Sequence, residues 1–341
     1  MRDSAHPGTG PTHGTLRLED SFGRRFEYLR LSLTDRCNFR CTYCLPQGYR
    51  KDPAQAAELS RAELRRAVAG FARLGLWKLR LTGGEPTVRS DFEDIVRDMA
   101  GVDGIRRIAL TTNGYRLAEK AHAWRTAGVD AVNVSIDTLD RASFARITGH
   151  DRLDQILDGV DAAIAAGFAA VKVNSVIMRS LEEENWERLL AFVADRRVTW
   201  RFIELMRTND NVGFHRAEAA TSEAIADRLA QSGWTATARS AGSGPAVEYR
   251  HPDYAGAIGL IAPYSPGFCD SCNRLRLSSR GKLQLCLFGE DGIDLRPLLQ
   301  HDGQRDALVQ AIVAALPAKP LAHRLHEGVS GTTPHLASIG G

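Results

Sequence analysis

From Tyr28 to Leu205, short apolar segments rich in β-branched residues alternate with amphipathic segments of helical period. Six of the short segments have the composition and length of strands: residues 28–33, 78–81, 107–110, 131–136, 171–177 and 200–205. Amphipathic helices are predicted between them, at residues 61–74, 92–99, 117–127, 153–166 and 183–194. Strands that alternate with helices form parallel sheets, because each helix carries the chain back to the start of the next strand. The predicted fold class is therefore α/β.

We expect the six units to form an incomplete TIM-like (β/α)6 barrel, with a doubly wound open sheet as the alternative. In either fold, residues at the carboxyl ends of the strands form the active site. Ser60 and Glu63 have the spacing of a capping box, which predicts that the first helix begins directly after Ser60.

The alternating pattern weakens after Gly233, and this divides the chain into three predicted parts. Residues 1–17 are rich in Gly, Pro, Thr and His and are expected to form a flexible tail. Residues 18–235 are expected to form the partial barrel. Residues 236–341 are expected to form a smaller α+β domain that closes the barrel; it contains a helical pattern at residues 305–316 and ends in Gly340-Gly341.

Charge and hydropathy exclude several classes of protein. The 44 Lys and Arg residues against 41 Asp and Glu residues give a net charge of +3, without the dense basic segment of a general nucleic-acid binder. No apolar run is long enough to span a membrane, and the N-terminus lacks the pattern of a secretion signal, so we expect a cytoplasmic protein. A few basic residues gathered in one pocket could still bind a phosphorylated small molecule.

All six cysteines fall in two groups: the first cysteine set is Cys37, Cys41 and Cys44, and the second cysteine set is Cys269, Cys272 and Cys286. This number is too low for a small secreted disulfide scaffold. Thiolates suit zinc or iron-sulfur clusters, but a structural zinc ion needs a fourth protein ligand, and neither set has a nearby histidine. Each set therefore favours a metal site with one position open to substrate, and structural zinc is the weaker alternative.

The first cysteine set has the spacing C-x3-C-x2-C, and the sequence Gly83-Gly84-Glu85-Pro86 follows the second predicted strand. This combination resembles the radical S-adenosylmethionine enzymes. The resemblance implies that the first cysteine set holds a [4Fe-4S] cluster whose open iron binds S-adenosylmethionine. It also implies contacts to this cofactor from Tyr43, Gly84, Ser135 and Met206.

The second cysteine set lies on a predicted hairpin. If its arms pair about Ser279, then Cys272 faces Cys286, Arg274 faces Gln284 and Arg276 faces Lys282. All six side chains would then share one face, and two thiolates and two guanidinium groups would lie beside a polar or anionic ligand. A bulge would change this register.

The two cysteine sets together, the sequence Asn273-Arg274-Leu275-Arg276 and the terminal glycines resemble one branch of the radical S-adenosylmethionine enzymes. Members of that branch cyclise GTP in the biosynthesis of the molybdenum cofactor, and the resemblance extends from about Leu18 to Gly341. It implies a second [4Fe-4S] cluster at the second cysteine set, whose open iron binds guanine. The residues implied to bind GTP are Arg30, Arg80, Thr111, Lys172, Arg201, Arg274, Leu275 and Arg276, and those implied to act in catalysis are Arg274, Arg276, Gly340 and Gly341.

The reaction implied by this resemblance begins when a 5′-deoxyadenosyl radical abstracts hydrogen from C3′ of GTP. The C3′ radical attacks C8, and reduction gives (8S)-3′,8-cyclo-7,8-dihydroguanosine 5′-triphosphate. A base held at the second cysteine set would present C8 to C3′, which is a proximity effect. The resemblance also implies a low-potential electron donor, a homodimer and a functional link to the cyclic pyranopterin monophosphate synthase that uses the product.

Two other classes of protein stay open from the sequence. A radical S-adenosylmethionine maturase that acts on a peptide usually has more than three cysteines in its C-terminal region, and the paired arginines here favour a nucleotide. A non-catalytic electron-transfer or zinc-binding protein would not need strands that end in glycines.

Overall fold

The computed structural model describes residues 17–181, 186–238, 244–289, 292–332 and 335–339. In this part of the chain one sheet is built from β1 (Tyr28–Thr34), β2 (Lys78–Gly83), β3 (Arg107–Thr112), β4 (Ala131–Ser135), β5 (Ala170–Ile177), β6 (Val198–Glu204), β7 (Thr235–Ala236), β8 (Val247–Arg250), β9 (Ala257–Ile261), β10 (Arg274–Leu277), β11 (Lys282–Gln284) and β12 (Ile293–Asp294). The helices are α1 (Arg61–Arg73), α2 (Phe92–Ala100), α3 (Leu117–Ala127), α4 (Arg141–Thr148), α5 (Leu153–Ala165), α6 (Trp186–Ala194), α7 (Val212–Glu218), α8 (Glu223–Gln231) and α9 (Arg305–Ala315).

The strands follow the order β12-β11-β10-β1-β2-β3-β4-β5-β6-β9-β8-β7. Strands β1 to β6 pair in sequence order and are parallel, and β10 and β9 extend the parallel part at its two ends. The outer strands pair antiparallel. The predicted α/β class with a central parallel sheet is confirmed.

All six strands predicted from the sequence are present, and the helix before each later strand is also confirmed. The last of these helices begins at Trp186 in the structure, because residues 182–185 lie outside the described residues. The predicted tail also lies outside them except for its last residue, Arg17. Helices α4, α7 and α8 and strands β7, β8, β9 and β12 were not predicted. Strands β7, β8 and β12 have two to four residues each, and β9 contains a glycine that breaks the apolar pattern.

The predicted capping box is confirmed at the start of α1. Ser60 Oγ accepts from Glu63 N at 3.3 Å, and Glu63 Oε2 accepts from Ser60 N at 2.8 Å. Further along α1, a Cβ placed on Gly70 would lie 2.5 Å from Leu308 Cδ2 of α9. The missing side chain therefore lets α9 pack closely on α1, and one buried apolar cluster contains residues of both predicted domains.

The predicted register of the second hairpin is wrong. Arg276 pairs with Gln284 and Leu277 with Leu283, so the two arms pair about residue 280 and not about Ser279. The turn causes this difference: Gly281 has a φ of +91°, its N–H donates to Ser278 O, and Ser278 N donates to Lys282 O. Lys282 is consequently exposed at the start of β11.

Among the residues that the structure describes, no helix has both the length and the apolar character needed to cross a membrane.

Candidate functional site

The first cysteine set lies in a loop that follows β1 and rests on α4. Arg40 N donates to Thr148 O at 3.1 Å and Thr42 N donates to Ile147 O at 3.0 Å, which fixes the backbone between the cysteines. All six cysteines of the chain are free and partly buried. The first set therefore presents three thiols on a loop whose backbone is already held in place.

Burial raises the pKa of all three thiols in this loop. The pKa of Cys37 rises to about 12 and that of Cys44 to about 11, and the pKa of Cys41 also rises. Mutual repulsion between the sulfur atoms adds to the effect at Cys37 and Cys41. Three thiolates this close together need a cationic group beside them, and iron in a cluster supplies that charge.

Nowhere in the described ranges do three His, Cys, Asp or Glu side chains converge as ligands of a single metal ion. A cubane cluster does not require such convergence, because each cysteine binds a different iron. The donors of the first cysteine set fit this group: three neighbouring thiols, none joined in a disulfide.

Gly83 and Gly84 pack directly against the backbone that leads into the cysteine loop. Gly84 N donates to Thr34 O at 2.8 Å, and Glu85 N donates to Arg36 O at 2.7 Å. A Cβ on Gly84 would lie 2.7 Å from Asp35 O. The glycine pair thus sets the distance between the end of β2 and the first cysteine set.

Glu85 organises the residues after β2 and β3 from a fully buried position. Its carboxylate accepts from Thr87 Oγ1 at 2.6 Å, Thr112 Oγ1 at 2.9 Å and Asn113 N at 2.6 Å. Asn113 Nδ2 in turn donates to Asn38 Oδ1 at 2.8 Å. These contacts connect two strand ends to the cysteine loop.

The four residues predicted to contact S-adenosylmethionine occupy strand ends or loops near the two cysteine sets. Tyr43 Oη donates to Asp137 Oδ2 at 3.0 Å, and burial raises the pKa of Asp137 to about 6. Ser135 ends β4 and pairs with Asn174 of β5. Met206 follows β6, and together with Leu287 and Phe288 it packs in a small apolar cluster beside the second cysteine set.

A cavity of about 380 Å³ lies over the parallel strands and extends to the second cysteine set, whose three cysteines all line it. The Arg and Lys side chains that line it are Arg30, Lys78, Arg80, Arg107, Lys172, Arg201, Arg274, Arg276 and Lys319. Glu248, which pairs with Lys172 at 3.0 Å, is the one carboxylate among the described residues of the lining. The cavity therefore has a large excess of positive charge.

The register of the strands produces this concentration of charge. Arg276 of β10, Arg30 of β1 and Arg80 of β2 are direct neighbours across three parallel strands. Gly259 of β9 leaves room for Arg201, because a Cβ there would lie 2.8 Å from Arg201 Cγ. Like charges at adjacent positions destabilise a sheet unless a ligand compensates them.

Burial and mutual repulsion lower the pKa of these basic groups. Burial, and next the repulsion from Arg80, lower the pKa of Arg201 to about 9. Burial, and next the repulsion from Arg274, lower the pKa of Arg276 to about 10. Burial and Arg276 lower the pKa of Arg30 as well. Arg80 Nε and Arg201 Nε are buried and have no hydrogen-bond partner among the described residues. An anion that enters the cavity would accept hydrogen bonds from these groups and relieve the repulsion.

The second cysteine set differs electrostatically from the first. Burial acts to raise the pKa of Cys272, but the positive charges of Lys319 and Arg274 favour the thiolate more strongly. The pKa of Cys272 is therefore lowered. Burial raises the pKa of Cys269. The basic residues of the cavity thus favour a thiolate at one position of the second set.

Two residues predicted to bind GTP do not line the cavity. Leu275 is fully buried in the apolar core on the opposite face of β10. Thr111 pairs in register with Asn133, which lines the cavity, and Arg80 Nη1 donates to the Thr111 hydroxyl at 3.5 Å. Gly340 and Gly341 lie outside the described residues.

Several cavity residues were missed from the sequence, including Lys78, Asn133, Glu248 and Lys319. Lys78 was detectable, because it lies two residues before Arg80 on the same strand and alternate residues share a face. Asn133 accepts from Arg201 Nη2. It was detectable in the same way, because apolar and polar residues alternate along its strand. Glu248 and Lys319 lie in segments whose sequence pattern gives no such signal.

Comparison with known proteins supports this description. A family model of the radical SAM superfamily matches residues 31–193, and a model described as Molybdenum Cofactor Synthesis C matches residues 198–325. A crystal structure of Streptococcus suis SuiB bound to S-adenosylmethionine superposes with a TM-score of 0.57 at 13% identity, over 86% of this chain and 68% of that chain. At this identity the superposition shows a shared fold only.

Curated relatives match over nearly the whole chain. The GTP 3′,8-cyclase of Aeromonas hydrophila is 51% identical over 328 residues, which cover 95% of this chain and 96% of the relative. The GTP 3′,8-cyclase of Actinobacillus succinogenes is 49% identical over 325 residues, 95% of this chain and 97% of the relative. That of Haemophilus influenzae is 49% identical over 328 residues, 96% of this chain and 97% of the relative.

The fold, the cysteine loop after β1 and the family model together define a radical S-adenosylmethionine enzyme. The model described as Molybdenum Cofactor Synthesis C covers the part of the chain that contains the second cysteine set. The chain belongs to the GTP 3′,8-cyclase family.

Proposed function

We propose that this chain cyclises GTP by joining C3′ of the ribose to C8 of guanine, which gives (8S)-3′,8-cyclo-7,8-dihydroguanosine 5′-triphosphate in molybdenum cofactor biosynthesis. One observation carries the proposal: nine Arg and Lys side chains line the cavity that also contains the second cysteine set. A nucleoside triphosphate matches this charge, and its base can reach the cysteines while its phosphates contact the arginines.

Six β/α units that curve into an incomplete barrel would explain how so many strands contribute to one cavity. Residues of β1 to β6, together with residues of β8, β9 and β10, line it. Residues 18–235 would then form the barrel, and residues 236–341 would close it with the second cysteine set. The continuous sheet from β10 through β1 supports this arrangement.

The proposed cofactor of the first cysteine set is a [4Fe-4S] cluster with S-adenosylmethionine, which supplies the hydrogen-abstracting radical when bound. Tyr43, Gly84, Ser135 and Met206 are proposed to bind S-adenosylmethionine. A second [4Fe-4S] cluster at Cys269, Cys272 and Cys286 is supported by three free thiols on one cavity wall.

The basic residues of the cavity hold the substrate. Arg30, Arg80, Lys172 and Arg201 lie along the parallel strands and are proposed to bind the triphosphate, with Thr111 and the backbone of Leu275 nearby. Arg274 and Arg276 lie on the strand that follows Cys272 and are proposed to act in catalysis, where a guanidinium group stabilises negative charge that develops on the base. Gly340 and Gly341 are proposed to complete the site.

The proposed setting is a cytoplasmic homodimer supplied by a low-potential electron donor. Six free thiols suit a reducing compartment, and the product would pass to a cyclic pyranopterin monophosphate synthase.

The test is anaerobic reconstitution with iron and sulfide, followed by reduction in the presence of S-adenosylmethionine and GTP. Mass spectrometry should detect 5′-deoxyadenosine and an isomer of GTP together. If 5′-deoxyadenosine forms without the isomer, the radical chemistry stands and GTP is the wrong substrate. If neither forms although both cysteine sets are loaded, the catalytic proposal fails.

Arg276→Gln and Lys282→Gln form a matched pair on the same hairpin for this assay. Arg276 is buried and lines the cavity, whereas Lys282 is exposed at the start of β11. We expect Arg276→Gln to lose the GTP isomer and Lys282→Gln to retain it. Equal product from the two variants would contradict the role proposed for Arg276.

A further inference from the structure

Arg24 lies in a short N-terminal hairpin, residues 18–26, directly before β1. An antiparallel bridge joins Glu19 to Arg25, and Phe26 N donates to Leu18 O at 2.8 Å. Leu18 and Phe26 are buried in the main apolar core. The hairpin is therefore anchored at both ends, and its tip holds Arg24 in a fixed position.

The guanidinium group of Arg24 donates to one buried carboxylate and to three backbone carbonyls in partly buried contacts. Nε donates to Asp20 Oδ2 at 2.7 Å, and the Asp20 side chain is fully buried. Nη1 donates to Cys269 O at 3.1 Å and to Leu321 O at 2.6 Å, and Nη2 donates to Pro320 O at 2.7 Å. One side chain thus joins backbone carbonyls of two segments that lie 245 or more residues away in the sequence. The four acceptors, Asp20 Oδ2 and the three carbonyls, outnumber the three donors of an ammonium group but not the five of a guanidinium group.

The segment that Arg24 holds also carries Lys319, which is 4% exposed. Lys319 Nζ donates to Leu285 O, the carbonyl of the residue before Cys286, and lies 5.1 Å from the centre of the Phe26 ring. The contacts of Arg24 therefore reach Cys269 directly, and Lys319, on the same segment, reaches the backbone just before Cys286.

We propose that Arg24 is a positioning residue for the second cysteine set: it holds Cys269, and through Lys319 the backbone beside Cys286, at the spacing that receives an iron-sulfur cluster. The proposal rests on the proposed function, in which this set binds a cluster. Arg24 itself does not line the cavity. Without it, Pro320 O and Leu321 O lose the guanidinium donor, Cys269 O keeps only its bond from Cys272 N at 3.0 Å, and the Asp20 carboxylate stays buried without its cation.

The adjacent residue provides a matched control. The Arg25 side chain is 63% exposed and pairs with Glu19 on the surface, where an ion pair contributes little to stability. Arg24→Gln and Arg25→Gln therefore remove the same charge from neighbouring positions. Only the first removes the contacts to the second cysteine set.

Both variants are made in the full chain with Cys37, Cys41 and Cys44 replaced by alanine, so that iron binds at the second set alone. After anaerobic reconstitution we measure iron and sulfide content, the electron paramagnetic resonance spectrum of the reduced cluster, and the rate of iron loss to a chelator. Because changes behind metal ligands typically weaken binding by roughly tenfold or more, we expect Arg24→Gln to lose iron roughly tenfold faster than Arg25→Gln. Its spectrum should change as well, whereas Arg25→Gln should match the parent.

Equal rates and spectra for the two variants overturn this proposal alone. A parent chain that binds no cluster at the second set overturns the proposed function together with this proposal. Should Arg24→Gln fail to fold, Arg24→Lys decides, because lysine keeps the charge beside Asp20 but has three donors for the four acceptors that Arg24 serves. We expect faster iron loss from Arg24→Lys than from the parent, and an unchanged rate overturns the proposal.

Discussion

Replacement of Gly84 by alanine separates two roles that this glycine can have. The resemblance to radical S-adenosylmethionine enzymes assigns it to cofactor binding, whereas the structure shows it packed against the cysteine loop. A Cβ at Gly84 would lie 2.7 Å from the carbonyl carbon of Arg36 and 2.7 Å from Asp35 O. These are backbone atoms, so no side chain can move away to make room, and the end of β2 must separate from the loop.

The separation weakens two backbone hydrogen bonds, from Gly84 N to Thr34 O at 2.8 Å and from Glu85 N to Arg36 O at 2.7 Å. Overpacking costs about 1–3 kcal/mol, and each weakened hydrogen bond adds about 1 kcal/mol. We therefore expect Gly84→Ala to lower the free energy of unfolding by on the order of 4 kcal/mol, which lowers the melting temperature by roughly 6 °C in a protein of this size.

The assay is calorimetry of the protein without clusters or cofactor, followed by iron analysis after reconstitution. Gly213→Ala is the control, since a Cβ at Gly213 in α7 meets no atom within 4 Å. We expect Gly84→Ala to melt earlier and to lose the cluster of the first cysteine set. A normal melting temperature and iron content, with weaker S-adenosylmethionine binding alone, would refute the packing argument and leave cofactor contact as the role of Gly84.

Three further predictions follow from the described contacts. Arg201→Gln removes a buried cation that repels Arg80, so we expect the ligand-free protein to have a higher melting temperature. Calorimetric titration should show that the variant binds GTP roughly tenfold more weakly. An unchanged affinity for GTP would contradict this prediction. Folding holds the pKa of Glu63 at about 2 instead of 4.5, because hydrogen bonds from Ser60 and Arg296 outweigh burial. The carboxylate therefore stabilises the fold above pH 4.5, and this contribution is lost as the pH falls towards 2. Urea unfolding should show that the free energy of unfolding falls over this pH range in the parent but not in Glu63→Gln. An equal pH dependence in the two proteins would contradict this role of Glu63. Deletion of Gly340 and Gly341 should abolish the GTP isomer in the mass-spectrometric assay without changing the melting temperature. Full activity of the shortened chain would show that these glycines are not part of the site.

The residues before the deleted glycines support the last prediction. The short helical turn Leu336–Ile339 lies against β1 and β2, and the backbone of Ala337 forms a hydrogen bond with Cys44. The chain therefore reaches the first cysteine set just before its last two residues.

The sequence alone determined the features that depend on near neighbours. Hydrophobic period predicted the six parallel strands and the helices between them, because burial on one face repeats every two or 3.6 residues. The spacing of each cysteine set, and the capping box of Ser60 and Glu63, are likewise local, since all members lie within one loop or one turn. Periodicity was sufficient to predict the fold class, and the resemblance of the cysteine and glycine motifs to a known family implied the radical S-adenosylmethionine chemistry.

Only the tertiary structure decided which distant residues meet. The turn at Gly281 moved the hairpin register away from the predicted pairing, because a positive φ changes where the two arms begin to pair. Strand order placed Arg276 beside Arg30, and the N-terminal hairpin brought Arg24 to Cys269, 245 residues away. Such contacts depend on how the whole chain closes, and residue spacing in the sequence carries no information about that closure.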